Sequence, residues 1–124
     1  MQKTIRDFLE ICVDQLEFND PVYEFGALQV TQSPEEDLRP LFPGSNYVGT
    51  DMREGRGVDL VLDLHNLKLE DSSIGSAICL DTLEHVERPR LAVEEMHRVL
   101  RPGGILIMSS VFEFPIHGYP NDYW

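Results

Sequence analysis

Two stretches, "SAICL" at 76–80 and "ILIMSSV" at 105–111, constrain the fold most tightly. Each is an almost continuous apolar run, the pattern of a strand covered on both faces, and such strands belong to parallel sheets. Between them Leu91, Ala92, Met96, Val99 and Leu100 form the buried stripe of a helix. That helix opens near Pro89 and is expected to end at "RPGG", residues 101–104.

The rest of the chain extends the alternation. Ile5, Phe8, Leu9, Cys12, Val13 and Leu16 recur at helical spacing, predicting an amphipathic helix over 4–16. Asn19, Asp20 and Pro21 break it, and a first strand follows at 22–26. In "SPEE", residues 33–36, Ser33 stands as an N-cap, Pro34 as the first helical residue and Glu36 as the capping-box acid. Pro40 stops that helix after little more than a turn. "NYVGTD" (46–51) reads as a second strand and "VDLVLDL" (58–64) as a third, joined by a short connection. The sum is an α/β sandwich on a largely parallel sheet, one domain over residues 1–124.

Composition narrows the function classes. A net charge of −12 opposes nucleic-acid partners, whose phosphates dominate their affinity, and is neutral or mildly favourable to a cationic ligand. No apolar run approaches the roughly 20 residues that span a bilayer, and the start "MQKTIRDFLE" lacks signal-peptide character. The expectation is a cytoplasmic protein without a membrane partner. Cys12 and Cys79 read as buried small hydrophobes, and the four histidines have no metal-ligand spacing.

In a doubly wound sheet, ligands bind beyond the carboxyl ends of the strands. Standing there are Glu24 and Gly26, Asp51, Asp63 with Leu64, and Leu80 with Asp81. Each acid has a structural alternative, as a cap or a partner for loop amides. Asp51 has the sharpest functional case. It follows Gly26 at about the twenty-odd residues expected of an acid that holds ribose hydroxyls. A carboxylate accepts both hydrogen bonds of a vicinal diol. The polar, glycine-bearing stretch "DMREGRGVD", in which Met52 comes next, suits a loop closing around a nucleoside.

The series "YEFGA", "YVGTD", "VLDLHNL", "AICLDTLEHV", "EEMHRVLRPGGILIMSS" and "PIHGYPNDYW" resembles class I S-adenosylmethionine-dependent methyltransferases of the small kind labelled type 11. The resemblance covers residues 21–124, and "LEHV" followed by "HRVLRPGG" is its most specific part. It implies a Rossmann-like, doubly wound sheet of order 3-2-1-4-5. It also implies that Glu24, Gly26 and Ala27 border the methionine end of the cofactor, and that Asp51 holds the ribose with Met52 beside it. Asp63 and Leu64 would edge the adenine, and Leu80 and Asp81 would lie beneath the sulfonium.

Two departures stand out. The family's G-x-G-x-G is reduced to Gly26, and the chain ends at Trp124, before the two strands that usually follow the fifth. Dinucleotide loops need several glycines because a pyrophosphate must approach backbone amides. S-adenosylmethionine has no phosphate, so the loop argues against NAD more than against S-adenosylmethionine.

The expected activity is methyl transfer to a small-molecule acceptor. The alternative is a non-catalytic or truncated binding module on the same fold. His85, two turns past the fourth strand, and His117 in the tail are the base candidates, each with a bland reading as a surface or packing histidine. With the order 3-2-1-4-5, the fifth strand is an apolar edge that invites a second chain. A homodimer is therefore expected, with the fifth strand and the tail "FEFPIHGYPNDYW" at its interface.

Overall fold

Parallel pairing organises the chain in the computed structural model, which describes residues 2–31 and 33–111. The strands are β1 (Val22–Phe25), β2 (Tyr47–Asp51), β3 (Leu60–Val61), β4 (Ile74–Leu80) and β5 (Leu100–Ser109), and the helices are α1 (Lys3–Gln15) and α2 (Pro89–Val99). The sheet runs β3-β2-β1-β4-β5, and every pairing is parallel. The order implied by the resemblance is the order found.

Burial explains why β4 is central. All seven of its residues are buried, and from Ala77 to Leu80 they alternate between two cores with the period of a strand. Ala77 and Cys79 face Ala92, Met96 and Val99 of α2, together with Phe25. Ile78 and Leu80 face Leu9 and Cys12 of α1, together with Val22, Leu38 and Phe42. With a helix on each face, the sheet is doubly wound. Cys12 and Cys79 are both free and buried, and burial pushes the Cys79 thiol up to about 12.

Three expected elements differ in extent. The third strand is two residues rather than seven. Leu62 still donates to the Asp51 carbonyl, but the chain then turns, with Asp63 bridging to Asn66. Leu62 and Leu64 pack against the α2 core instead of extending the edge. The fifth strand begins earlier than expected, at Leu100, which pairs with Ile74 before the register shifts and Ile105 pairs with Ser76. "RPGG" is therefore a bulge between two stretches of strand, and α2 has already ended at Val99.

Among the described residues between β1 and β2 there are only single 3-10 turns, Pro34–Glu36 and Arg39–Leu41. Ser33 does cap the first, accepting from the Glu35 amide at 3.4 Å. Glu36 does not complete a capping box. Its carboxylate accepts from the Thr31 amide at 3.1 and 3.2 Å, and also from the Thr31 hydroxyl. Prolines at 34 and 40 leave no helical interior between them, and Leu38 and Phe42 fill the core directly.

Candidate functional site

The parallel order aligns the carboxyl ends of β3, β2, β1 and β4 along one margin, and the candidate residues lie there. β1 ends in a sharp turn. Gly26 has φ +82°, and both its amide and that of Ala27 donate to the Thr50 carbonyl, at 2.9 and 2.8 Å. A Cβ on Gly26 would stand 2.1 Å from the Thr82 hydroxyl, so only glycine fits between β1 and the segment after β4. The chain then leans toward β2. Ala27 is buried, and Gln29 donates to the Arg56 carbonyl at 2.9 Å. Gly57, at φ +89°, permits this approach, because a Cβ there would lie 2.7 Å from the Ala27 carbonyl oxygen. The glycine missing from the first loop is supplied by the loop opposite.

Asp51 joins the two loops. Its Oδ2 accepts from the Leu28 amide at 3.3 Å and its Oδ1 from the Arg53 amide at 3.1 Å, with the Arg53 guanidinium 3.8 Å away. The side chain is only 12% exposed, not on an open loop as its position suggested. Each oxygen keeps a further acceptor site, enough for a diol. Met52 beside it is 71% exposed.

Glu24 is the most unusual group. It is buried under the α1-side layer, where Oε1 accepts from the Tyr47 hydroxyl at 2.5 Å, and Oε2 has no hydrogen-bond partner among the described residues. Burial raises its pKa to about 7, against the opposing effects of the Tyr47 bond and the Arg39 charge. Burial also raises the Tyr47 phenol far above its ordinary value, with the neighbouring carboxyl adding to the effect. Arg39 lies over the Tyr47 ring, 5.3 Å from its centre, and pairs with Asp59. Asp59 is in turn held below the usual carboxylate range, chiefly by the Gly49 amide at 2.8 Å.

The other candidates are tied into local structure. Asp63 Oδ1 accepts from the His65 amide and meets its Nδ1, each at 2.9 Å, and these contacts lower its pKa. The Arg88 amide donates to His65 Nε2 at 3.0 Å. Leu64 packs on the α2 core, and Leu80 is buried beneath α1. Asp81 turns left-handed at φ +47°, its amide donating to the Ser109 carbonyl and hydroxyl and its Oδ1 accepting from that hydroxyl at 3.0 Å.

His85 closes a single 3-10 turn, Leu83–His85, rather than lying two turns past β4. Its amide donates to the Thr82 carbonyl, and its Nε2 lies 3.9 Å from Glu84 Oε1. Glu84 is 3% exposed, and its Oε2 has no hydrogen-bond partner among the described residues. His117 lies outside the described residues. Among those residues no cluster of three or more His, Cys, Asp or Glu could hold a metal.

Sequence reasoning missed Tyr47, Thr82 and Ser109. Tyr47 comes into view only through the strand register. Val22 pairs with Tyr47 and Glu24 with Gly49, so Tyr47 and Glu24 share one face as diagonal neighbours. Thr82 and Ser109 needed the three-dimensional approach of β1, β4 and β5.

A family model described as a methyltransferase domain matches residues 43–108, just over half of the chain. The YcgJ protein from Bacillus subtilis superposes with a TM-score of 0.67 at 17% identity, over 86% of this chain and 50% of that one. A Thermotoga maritima structure, described as an S-adenosylmethionine-dependent methyltransferase and possible histamine N-methyltransferase, gives 0.60 at 26% identity, over 85% and 53%. A 37.1 kDa protein in transposon TN4556 of Streptomyces fradiae is 52% identical over 48 residues, 39% of this chain and 14% of that protein. The chain thus spans about half of the solved structures and a seventh of the transposon protein.

Proposed function

We propose a function from one premise: the chain belongs to the methyltransferase-domain family. It binds S-adenosylmethionine at the carboxyl ends of β1, β2 and β4 and directs methyl transfer to a small-molecule acceptor. The observation that carries this reading is the pair of acids at adjacent strand ends, Glu24 with one oxygen that accepts from no described residue and Asp51 with spare acceptor capacity. These residues fit the two polar ends of the cofactor, its amino-acid group and its ribose diol. Met52, exposed beside Asp51, offers an apolar surface for the base.

When bound, S-adenosylmethionine supplies a methyl group already activated by its sulfonium. The protein's task is then alignment, with a proton acceptor needed only for a protonated nucleophile. His85 is our candidate for that acceptor among the described residues, and His117 is the candidate in the tail. Asp63 and Leu64 stand where the adenine edge would lie, and Gly26, Ala27, Leu80 and Asp81 shape the floor. Calorimetric titration of the protein with S-adenosylhomocysteine tests the reading.

A second reading has its own support. The Leu28 amide already occupies Asp51 Oδ2, so the loop after β1 rests on the acid that would hold the ribose. In a non-catalytic module this contact is permanent and structural. Absence of S-adenosylhomocysteine binding decides for that reading.

A further inference from the structure

Glu24 presents a problem that the fold alone does not explain. A largely buried carboxyl group accepts from the Tyr47 hydroxyl through Oε1, while no described residue donates to its Oε2. Such a group is costly to retain for packing, since an apolar side chain of similar size fills the space without the desolvation cost. Its position is informative. Glu24 pairs with Gly49 and Ile78 one residue before β1 ends, immediately below the turn at Gly26. Tyr47 reaches up the same face and holds Oε1.

We propose that Tyr47 is a positioning residue: it pins one oxygen of Glu24 so that the other receives the ammonium group of the cofactor's amino-acid end, and binding there releases a proton from Glu24. The proposal rests on the cofactor reading above and deepens it. An ammonium donor can satisfy a free carboxylate oxygen, but a protonated Glu24 would lack the matching charge. The groups around Glu24 define the balance. Arg39, from the second 3-10 turn, favours the charged form, whereas Asp37 before that turn and Asp51 at the end of β2 oppose it. Arg6, the basic residue that α1 turns toward this crossover, is engaged with the carbonyls of Glu35 and Asp37. Cys79 of β4 faces the opposite core. With a pKa of about 7, Glu24 in the free protein is divided between its two forms near neutrality.

The test is calorimetric titration with S-adenosylhomocysteine between about pH 6 and 8, in buffers of different ionisation enthalpy, for the wild type, Tyr47→Phe and Glu24→Gln. If only the charged form is competent, wild-type affinity rises about tenfold across that range, with net proton release at the lower end. Tyr47→Phe removes a bond that favours the carboxylate, so its profile shifts to higher pH. Glu24→Gln binds more weakly, with a flat profile, and this arm stands even if the phenylalanine variant fails to fold. A wild-type affinity independent of pH, an unshifted Tyr47→Phe profile or a sloping Glu24→Gln profile overturns the proposal while leaving the cofactor reading intact. Absence of binding at every pH overturns that reading, and the proposal with it.

Discussion

Gly26 and Thr82 meet across the ends of β1 and β4, so closely that a Cβ on Gly26 would lie 2.1 Å from the threonine hydroxyl. The same glycine has φ +82°. Gly26→Ala therefore meets two separate costs, a backbone penalty of about 1–2 kcal/mol and a steric clash. We expect a loss of stability larger than the backbone penalty alone. Thr82→Ala in the Gly26→Ala background should recover the steric part only. Urea unfolding of the wild type and the two variants measures both, and a fully stable Gly26→Ala would show that the turn relaxes.

Asp51 carries structural weight as well as its proposed binding role. Asp51→Ala removes the acceptor for the Leu28 and Arg53 amides and should cost about 1–3 kcal/mol of stability. Asp51→Asn keeps one acceptor oxygen and should lose less stability, yet still weaken S-adenosylhomocysteine binding. Denaturant midpoints and calorimetry separate the two effects. Unchanged stability in Asp51→Ala would mean that the loop contacts contribute nothing.

Glu24 imposes a pH dependence on folding. Its folded pKa is raised from 4.5 to about 7, so the native state binds the extra proton between those values. The stabilising contribution is full below the unfolded value and disappears as pH rises through the folded one. The change is at most about 3 kcal/mol, by conversion of the shift. Wild-type stability relative to Glu24→Gln should therefore fall between about pH 5 and 8. A constant difference in urea titrations at the two pH values would contradict the assignment.

Glu84 is a buried carboxylate with Oε2 lacking a partner among the described residues. Glu84→Met keeps a long unbranched side chain and removes the buried oxygen that no described residue satisfies, so stability should be unchanged or higher. Thermal unfolding checks this. A loss above about 1 kcal/mol would show that the carboxylate makes an interaction worth retaining.

Much of the fold was legible because apolar runs report burial directly. The β4 pattern could be read as a covered strand, and it is buried throughout. Limits of elements were less legible. The third strand's apolar residues, Leu62 and Leu64, serve the α2 core from a turn, which periodicity alone cannot distinguish from an edge strand. The candidate site was legible as a set of acids at strand ends, but the hydrogen-bond partners of those acids were not. Asp51 looked accessible because no local feature announced the Leu28 amide, 23 residues earlier. Tyr47 was invisible as a site residue until the β1–β2 register put it beside Glu24.

The most direct measurement is calorimetric titration with S-adenosylhomocysteine, with NADH as the control. The account predicts saturable binding of S-adenosylhomocysteine and none of NADH, because Gly26 alone cannot open the first loop to a pyrophosphate. No heat and no thermal shift at millimolar S-adenosylhomocysteine would contradict it.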